Sequence, residues 1–208
     1  MKKIIKPIFS YCSTLESEFH EIPIARKNQL LKLSEYFSEQ YKSGKIPKAI
    51  VVCTHNSRRS HLGQLWLAVG ADYFGLPKLE TFSGGTEATA FNPRAIAALS
   101  RVGFSIESKN IDNPHYSIQW NNSIQPYIAF SKVYNEAPNP NANFVAIMVC
   151  TEADAACPII SGMDLRLALP FEDPKAFDDT DLESAKYDER CRQIAREMFF
   201  VLSNVQKS

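Results

Sequence analysis

The stretch AIVVCTHNSRRSHLGQLW, residues 49–66, decides the reading of the chain. Ala49 to Val52 form an apolar, β-branched run that reads as a buried strand and ends on Cys53. A polar loop with Arg58, Arg59 and Ser60 follows, and an amphipathic segment then begins. A loop of successive backbone N–H groups that leads into a helix N-terminus makes a concave anion site. Arg59 adds a planar fork matched to a tetrahedral oxyanion. Asn56 suits the left-handed backbone position that turns amides inward. A thiol in such positive surroundings is favoured as the thiolate, its nucleophilic form, and Ser60 is placed to hydrogen-bond it. The plainer reading makes Cys53 a small packing residue and the arginines surface charges. The whole pattern in a strand–loop–helix setting outweighs it.

Further along the chain, LETFSGG (79–85), NFVAIMVC (143–150) and LRLALPF (165–171) read as strands, and QPYIAFSKVY (125–134) is taken as one too. The segments 60–75, 92–103 and 181–206 read as helices. The second has Asn92 as N-cap, Pro93 in its first turn and Gly103 at its end. In residues 1–47, Leu30, Leu33, Phe37 and Tyr41 share one helical face, and Ser13 to Phe19 suggest a short helix before it. Strands alternating with helices imply an α/β fold with a doubly wound parallel sheet. Such sheets bind ligands at the carboxyl ends of their strands, where Cys53 and Cys150 both fall. The chain divides into a helical N-terminal extension, 1–47, and a catalytic domain, 48–208.

With 208 residues, 45% apolar and 22% charged, the chain fits an ordinary globular protein. Its formal net charge of zero gives no basic footprint for nucleic acid. The apolar runs are strand-length, so no membrane span is expected, and Lys6 and Pro7 break up the short apolar start that a signal peptide would need. Five cysteines at scattered spacing do not resemble a secreted disulfide framework. A reducing, cytoplasmic setting is expected.

The loop VCTHNSRRS resembles the signature loop of the low-molecular-weight protein tyrosine phosphatase superfamily, which includes the thioredoxin-coupled arsenate reductases. The resemblance implies a four-stranded parallel sheet flanked by helices, an enzyme, and an oxyanion held by Thr54, His55, Asn56, Ser57, Arg58 and Arg59. It implies Cys53 as nucleophile, with Arg59 and Ser60 beside it. The pair Asp173–Pro174 resembles the family's late Asp-Pro loop, which makes Asp173 the general acid. By itself the dipeptide is an ordinary turn, and Glu172 is a neighbouring stand-in.

The segment VCTEADAACP carries Cys150 and Cys157 without the short paired spacing of a zinc site. On composition alone both are structural thiols. The segment resembles the redox loop of thioredoxin-coupled arsenate reductases, Ala153 and Asp154 included. That implies a relay: Cys53 attacks, Cys150 resolves, and Cys157 carries the disulfide outward to a thioredoxin. The chain departs from the family at His55, where glycine is usual, and at Arg58, where many relatives have a second cysteine. Gln64 stands for a glutamate that helps to bind potassium, while Asn56, Ser83 and Asp112 match the other potassium ligands; no tightly bound cofactor is expected. Cys12 and Cys191 have no implied role. Tyr116 and Trp120 are the aromatic candidates for substrate contact.

Three readings follow: an arsenate reductase, a phosphatase acting on phosphomonoesters through Cys53, Arg59 and Asp173 alone, and an oxyanion-responsive binding module without turnover. Retention of both the thiol and the acid argues against the third.

Overall fold

The computed structural model describes residues 3–206 apart from 109–111, 124 and 157–159. Its centre is a sheet of four parallel strands, β1 (Lys48–Cys53), β2 (Glu80–Gly85), β6 (Phe144–Met148) and β7 (Met163–Ala168), in the order β2-β1-β6-β7. β1 and β6 are buried along nearly their whole length, as expected of parallel strands covered by helices. The sheet is flanked by α3 (Arg59–Tyr73), α4 (Pro93–Val102), the short α5 (Thr151–Ala156) and α6 (Glu183–Ser203). α4 begins with an Asn92 side-chain cap and ends on Gly103 at φ +116°, a conformation that glycine adopts without penalty. No helix among the described residues is long and apolar enough to cross a membrane.

The stretch taken as one strand over 125–134 is divided in two. Only Tyr127–Ala129 is a strand, β5, and it joins β3 (Ser105–Ser108) and β4 (Tyr116–Gln119) in a separate antiparallel sheet. Its far end, Val133, instead bridges Gly85 at the tip of β2. β3 and β4 were not expected, because their short segments SIES and YSIQ carry one or two apolar residues each and give almost no period-two signal. The second sheet is tied to α3 through Asp72, which accepts from Trp120 Nε1 at 2.9 Å and Asn121 Nδ2 at 2.6 Å.

The N-terminal extension contributes α1 (Lys6–Ser17), longer than the expected Ser13–Phe19 helix, and α2 (Ile24–Lys42). Ile8, Cys12 and Leu15 of α1 and Leu30, Leu33 and Phe37 of α2 are fully buried, at the spacing that lines one helix face. They join the same core as the sheet. Polar residues lock the seam with α6. Ser34 donates to the carbonyl of Val201 at 2.8 Å, and Arg26 pairs with Glu197 at 2.7 Å. Glu18 and Glu21 pair with Arg192 and Arg196. Trp66 of α3 lies at the centre, wholly buried, with Nε1 directed at the Cys191 sulfur at 3.3 Å.

Leu33→Ala should therefore cost about 2–5 kcal/mol, the range for emptying a fully packed leucine site. Ile24→Ala, at a position 77% exposed, should stay within about 0.5 kcal/mol of the parent. Urea unfolding checks this, and equal midpoints for the two variants would mean that α2 is not part of the core.

Candidate active site

The loop after β1 is shaped by where its carbonyls go. The Cys53 oxygen accepts from Thr86 N at 3.3 Å, the Thr54 oxygen from Glu87 N at 2.9 Å, and the Ser57 oxygen from Asn92 N at 2.9 Å. The His55 oxygen accepts from the hydroxyls of Thr89 and Ser131, at 3.1 and 3.2 Å. In a planar trans peptide the N–H points opposite to the C=O. The amides of Thr54, His55, Asn56 and Arg58 are thus turned to the inside of the loop, towards the N-terminus of α3. Asn56 makes the turn at φ +44°, in the left-handed region that asparagine tolerates. Gly85 packs beneath it. A Cβ there would lie 2.6 Å from the Thr54 oxygen and 2.7 Å from the Asn56 nitrogen, which leaves no room for a side chain.

Asn56 Nδ2 donates to Ser60 Oγ at 2.8 Å, and Ser60 Oγ lies 3.0 Å from Cys53 Sγ. With the amide donating to its oxygen, the Ser60 hydroxyl remains free to give its proton to the sulfur. Arg59 is 8% exposed and donates to the Phe171 carbonyl at 2.8 Å and to Asp173 Oδ2 at 2.7 Å. The other oxygen of Asp173 accepts from Lys175 N at 3.1 Å, capping a 3-10 turn over Pro174–Phe177. The loop after Cys53, Arg59 and Asp173 therefore converge. Glu172 is directed away from them, towards Arg190 at 3.2 Å. Arg58 lends its backbone to the loop, but its guanidinium faces Tyr187 and Asp178. His55 is exposed at the rim, 3.9 Å from Glu87.

Cys150 follows β6, the strand beside β1, and Val52 is paired with Met148. The Cys150 sulfur is fully buried, 3.4 Å from the Thr54 hydroxyl, and it accepts from Ala153 N in the first turn of α5 at 3.4 Å. The adjacent Glu152 carboxyl is held below the usual carboxylate range chiefly by its own backbone N–H, with Arg59, Thr151 and Cys150 adding to the effect. Cys157 lies outside the described residues. The remaining thiols are inert by comparison, since burial pushes Cys12 and Cys191 up to about 12.

Of the residues named for potassium, Asn56 and Ser83 have partners within the protein, while Gln64 Oε1 is a buried oxygen with none among the described residues. Asn56 Oδ1 accepts from Lys132 N at 2.9 Å, and Ser83 Oγ lies 3.2 Å from His61 Nδ1. Gln64 gives its amide to the Thr81 carbonyl and the Tyr127 hydroxyl, and Asp112 is exposed. The ammonium of Lys132 is buried in this layer, 3.1 Å from the Phe130 carbonyl, where burial lowers it to about 8. Among the described residues no three His, Cys, Asp or Glu side chains cluster as a metal site. Lys132 and His61 escaped the sequence reading because single polar residues inside apolar stretches carry no spacing signal. Trp120 is also removed from the site. It is bonded to Asp72, 13 residues along α3 from Arg59 and so about 20 Å from the loop at helical rise. Tyr116 packs edge-on against Phe91 at 5.5 Å.

His61 itself is stacked on Phe91 at 4.0 Å. Burial, helped by the charge of Lys132, lowers it from 6.5 to about 3. Its folded pKa lies below its unfolded one, so its contribution is fully present above about pH 6.5. Between there and about 3 the unfolded chain binds a proton that the native chain refuses, and stability is lost as the pH falls, by up to about 1.4 kcal/mol per pH unit. His61→Phe should flatten this slope by close to one proton. Urea unfolding at several pH values from 4 to 7 would show it, and an unchanged slope would refute the assignment.

No family model matches the chain. In sequence it is 29% identical over 123 residues to an arsenate reductase of Bacillus anthracis, covering 59% of this chain and 73% of that protein. It is 28% identical over 123 residues to an arsenate reductase of Brevibacillus brevis, with the same coverage of 59% and 73%. Among solved structures it superimposes on a low-molecular-weight phosphotyrosine phosphatase from Vibrio cholerae O395 with a TM-score of 0.50 and 15% identity, over 76% of this chain and 94% of that one. The chain thus has the fold of the low-molecular-weight protein tyrosine phosphatases and is similar in sequence to arsenate reductases.

Proposed function

We propose that the chain is an arsenate reductase working by a thiol relay. The observation that carries this reading is the placement of two thiols at the ends of neighbouring strands, with the Thr54 hydroxyl of the oxyanion loop touching the Cys150 sulfur at 3.4 Å. The likeness to arsenate reductases and to phosphatases alike marks the chain as an enzyme.

In the first step the Cys53 thiolate attacks arsenic, an As–S bond forms, and hydroxide leaves as water with the proton of Asp173. Arriving oxyanion competes for the Arg59 donor that faces Asp173. Cys150, as thiolate, then attacks the Cys53 sulfur. The S–S bond forms, the As–S electron pair stays on arsenic, and As(V) becomes As(III), released as arsenite. Cys157 next attacks Cys150, expels Cys53 as thiolate and leaves a Cys150–Cys157 disulfide for a thioredoxin dithiol to reduce. The handover needs Cys150 and Cys157 within the ~7 Å Cα separation that a disulfide tolerates, and opening of α5 would let them meet. A segment of six small or polar residues, TEADAA, opens at low packing cost. The scheme requires a reducing compartment, in keeping with the cytoplasm.

The second reading, a phosphatase, is favoured by the fact that Cys53, Arg59 and Asp173 form a complete set without the other thiols. The two are separated by assaying arsenate reduction with thioredoxin beside hydrolysis of p-nitrophenyl phosphate. A reductase should lose multiple turnover in Cys150→Ser and in Cys157→Ser, while Cys53→Ser should abolish all activity. Full arsenate turnover by the Cys150→Ser/Cys157→Ser double variant, or brisk phosphatase activity with no arsenate reduction, would overturn the proposal.

A further inference from the structure

Arg58 is a large, charged residue whose guanidinium turns away from the oxyanion it would be expected to meet. Its side chain is 13% exposed, and its Nε donates to the Tyr187 hydroxyl at 2.8 Å and lies 4.0 Å from Asp173 Oδ1. Its Nη2 reaches Asp178 Oδ2 at 3.5 Å. Tyr187, on α6, donates in turn to Asp178 Oδ1 at 2.7 Å; burial pushes its hydroxyl up to about 12, so it keeps that proton. Arg94 of α4 reaches the same carboxylate at 3.7 Å and also pairs with Asp179 and Glu183, both at 2.5 Å. Asp179 sits at φ +62° and gives its N–H to Glu183 at 2.7 Å.

The segment 173–179 is thereby held at two points by adjacent residues of one loop, Arg59 on Asp173 and Arg58 on Asp178. These two ties differ in what substrate does to them. Arg59 is the fork that a tetrahedral oxyanion engages, so its bond to Asp173 is weakened when anion binds. Arg58 is committed to Tyr187 and Asp178, and no part of that tie competes with the anion.

We propose that Arg58 is a positioning residue. Through Asp178 and Tyr187 it keeps the Asp173 segment over the oxyanion loop at the moment when Arg59 transfers its hydrogen bond from Asp173 to substrate. The proposal rests on the reading of Asp173 as the general acid. It requires that Arg58 act on proton delivery and leave anion binding nearly unchanged.

The test uses the full chain as Arg58→Met, Tyr187→Phe and Asp173→Asn. Tyr187→Phe keeps the buried ring and removes only the hydroxyl, so it remains informative if Arg58→Met folds poorly. The first measurement is amide hydrogen exchange over 173–180, with and without saturating inorganic phosphate. In the parent, phosphate should leave the protection of the segment within about twofold, whereas in Arg58→Met and Tyr187→Phe phosphate should lower it at least tenfold. The second is hydrolysis of an aryl phosphate series, in which a poor leaving group needs the acid and a good one does not. Both variants should lose at least tenfold more kcat for phenyl phosphate than for 2,4-dinitrophenyl phosphate, with phosphate affinity changed less than threefold. If the series cannot be run because no ester is turned over, the exchange measurement decides alone. Equal protection with phosphate in parent and both variants overturns the proposal. So does an equal loss on both esters in Arg58→Met and Tyr187→Phe while Asp173→Asn shows the leaving-group dependence. Failure of Asp173→Asn itself to show it would instead remove the acid assignment.

Discussion

An anion-binding loop can turn its amides inward only if every carbonyl on its outer side finds a donor, since a buried carbonyl without a partner costs about as much as a lost hydrogen bond. In this chain that demand is met by two other segments. Residues 86–92 satisfy Cys53, Thr54 and Ser57, and Ser131 joins Thr89 on His55. The region that precedes β6 is thus part of the wall that holds the loop open. Gly84 and Gly85 let this wall come close: a Cβ on Gly84 would lie 2.8 Å from the Cβ of Tyr134 and 2.9 Å from its nitrogen. Cys53 is placed by the same constraint, because it is the last residue of β1 and the first whose carbonyl is taken by the wall.

Beneath the loop lies a layer of buried polar groups rather than an apolar floor. Asn56, Ser60, His61, Gln64, Ser83 and Lys132 are all less than 5% exposed. These groups link the loop to β2, to α3 and to the segment before β6, while His61 Nε2 and Gln64 Oε1 have no hydrogen-bond partner among the described residues. The backbone N–H of Lys132 takes the Asn56 side-chain oxygen at 2.9 Å and so ties the tight turn to the segment before β6.

The parts legible in the sequence were those with a strong local code. β1, β6 and β7 announce themselves by apolar runs, β2 by its glycine turn, α4 by its Asn-Pro start and terminal glycine, and the oxyanion loop by seven residues of dense, unusual chemistry. The Asp173 position could be placed because Asp-Pro falls after the last strand. What stayed hidden is non-local. The hairpin of β3 and β4 is specified by its docking on α3 through Asp72, which no window of sequence records. The partners of Arg58 come from Asp178 and Tyr187, over a hundred residues away. Lys132 becomes a buried cation only because the wall folds over it.

α6 is the element that α1, α2, α3 and α4 all pack against, and it is the last one in the chain. Residues just past its end are still in use: Gln206 N donates to Ser38 Oγ of α2 at 3.0 Å. During synthesis from the N-terminus, α1 and α2 emerge with their apolar faces complete and nothing to bury them against. The central sheet can pair its strands before that time, but its helical covering cannot close. Closure of the core therefore waits for α6, and α1 and α2 lack that packing partner until it has been made.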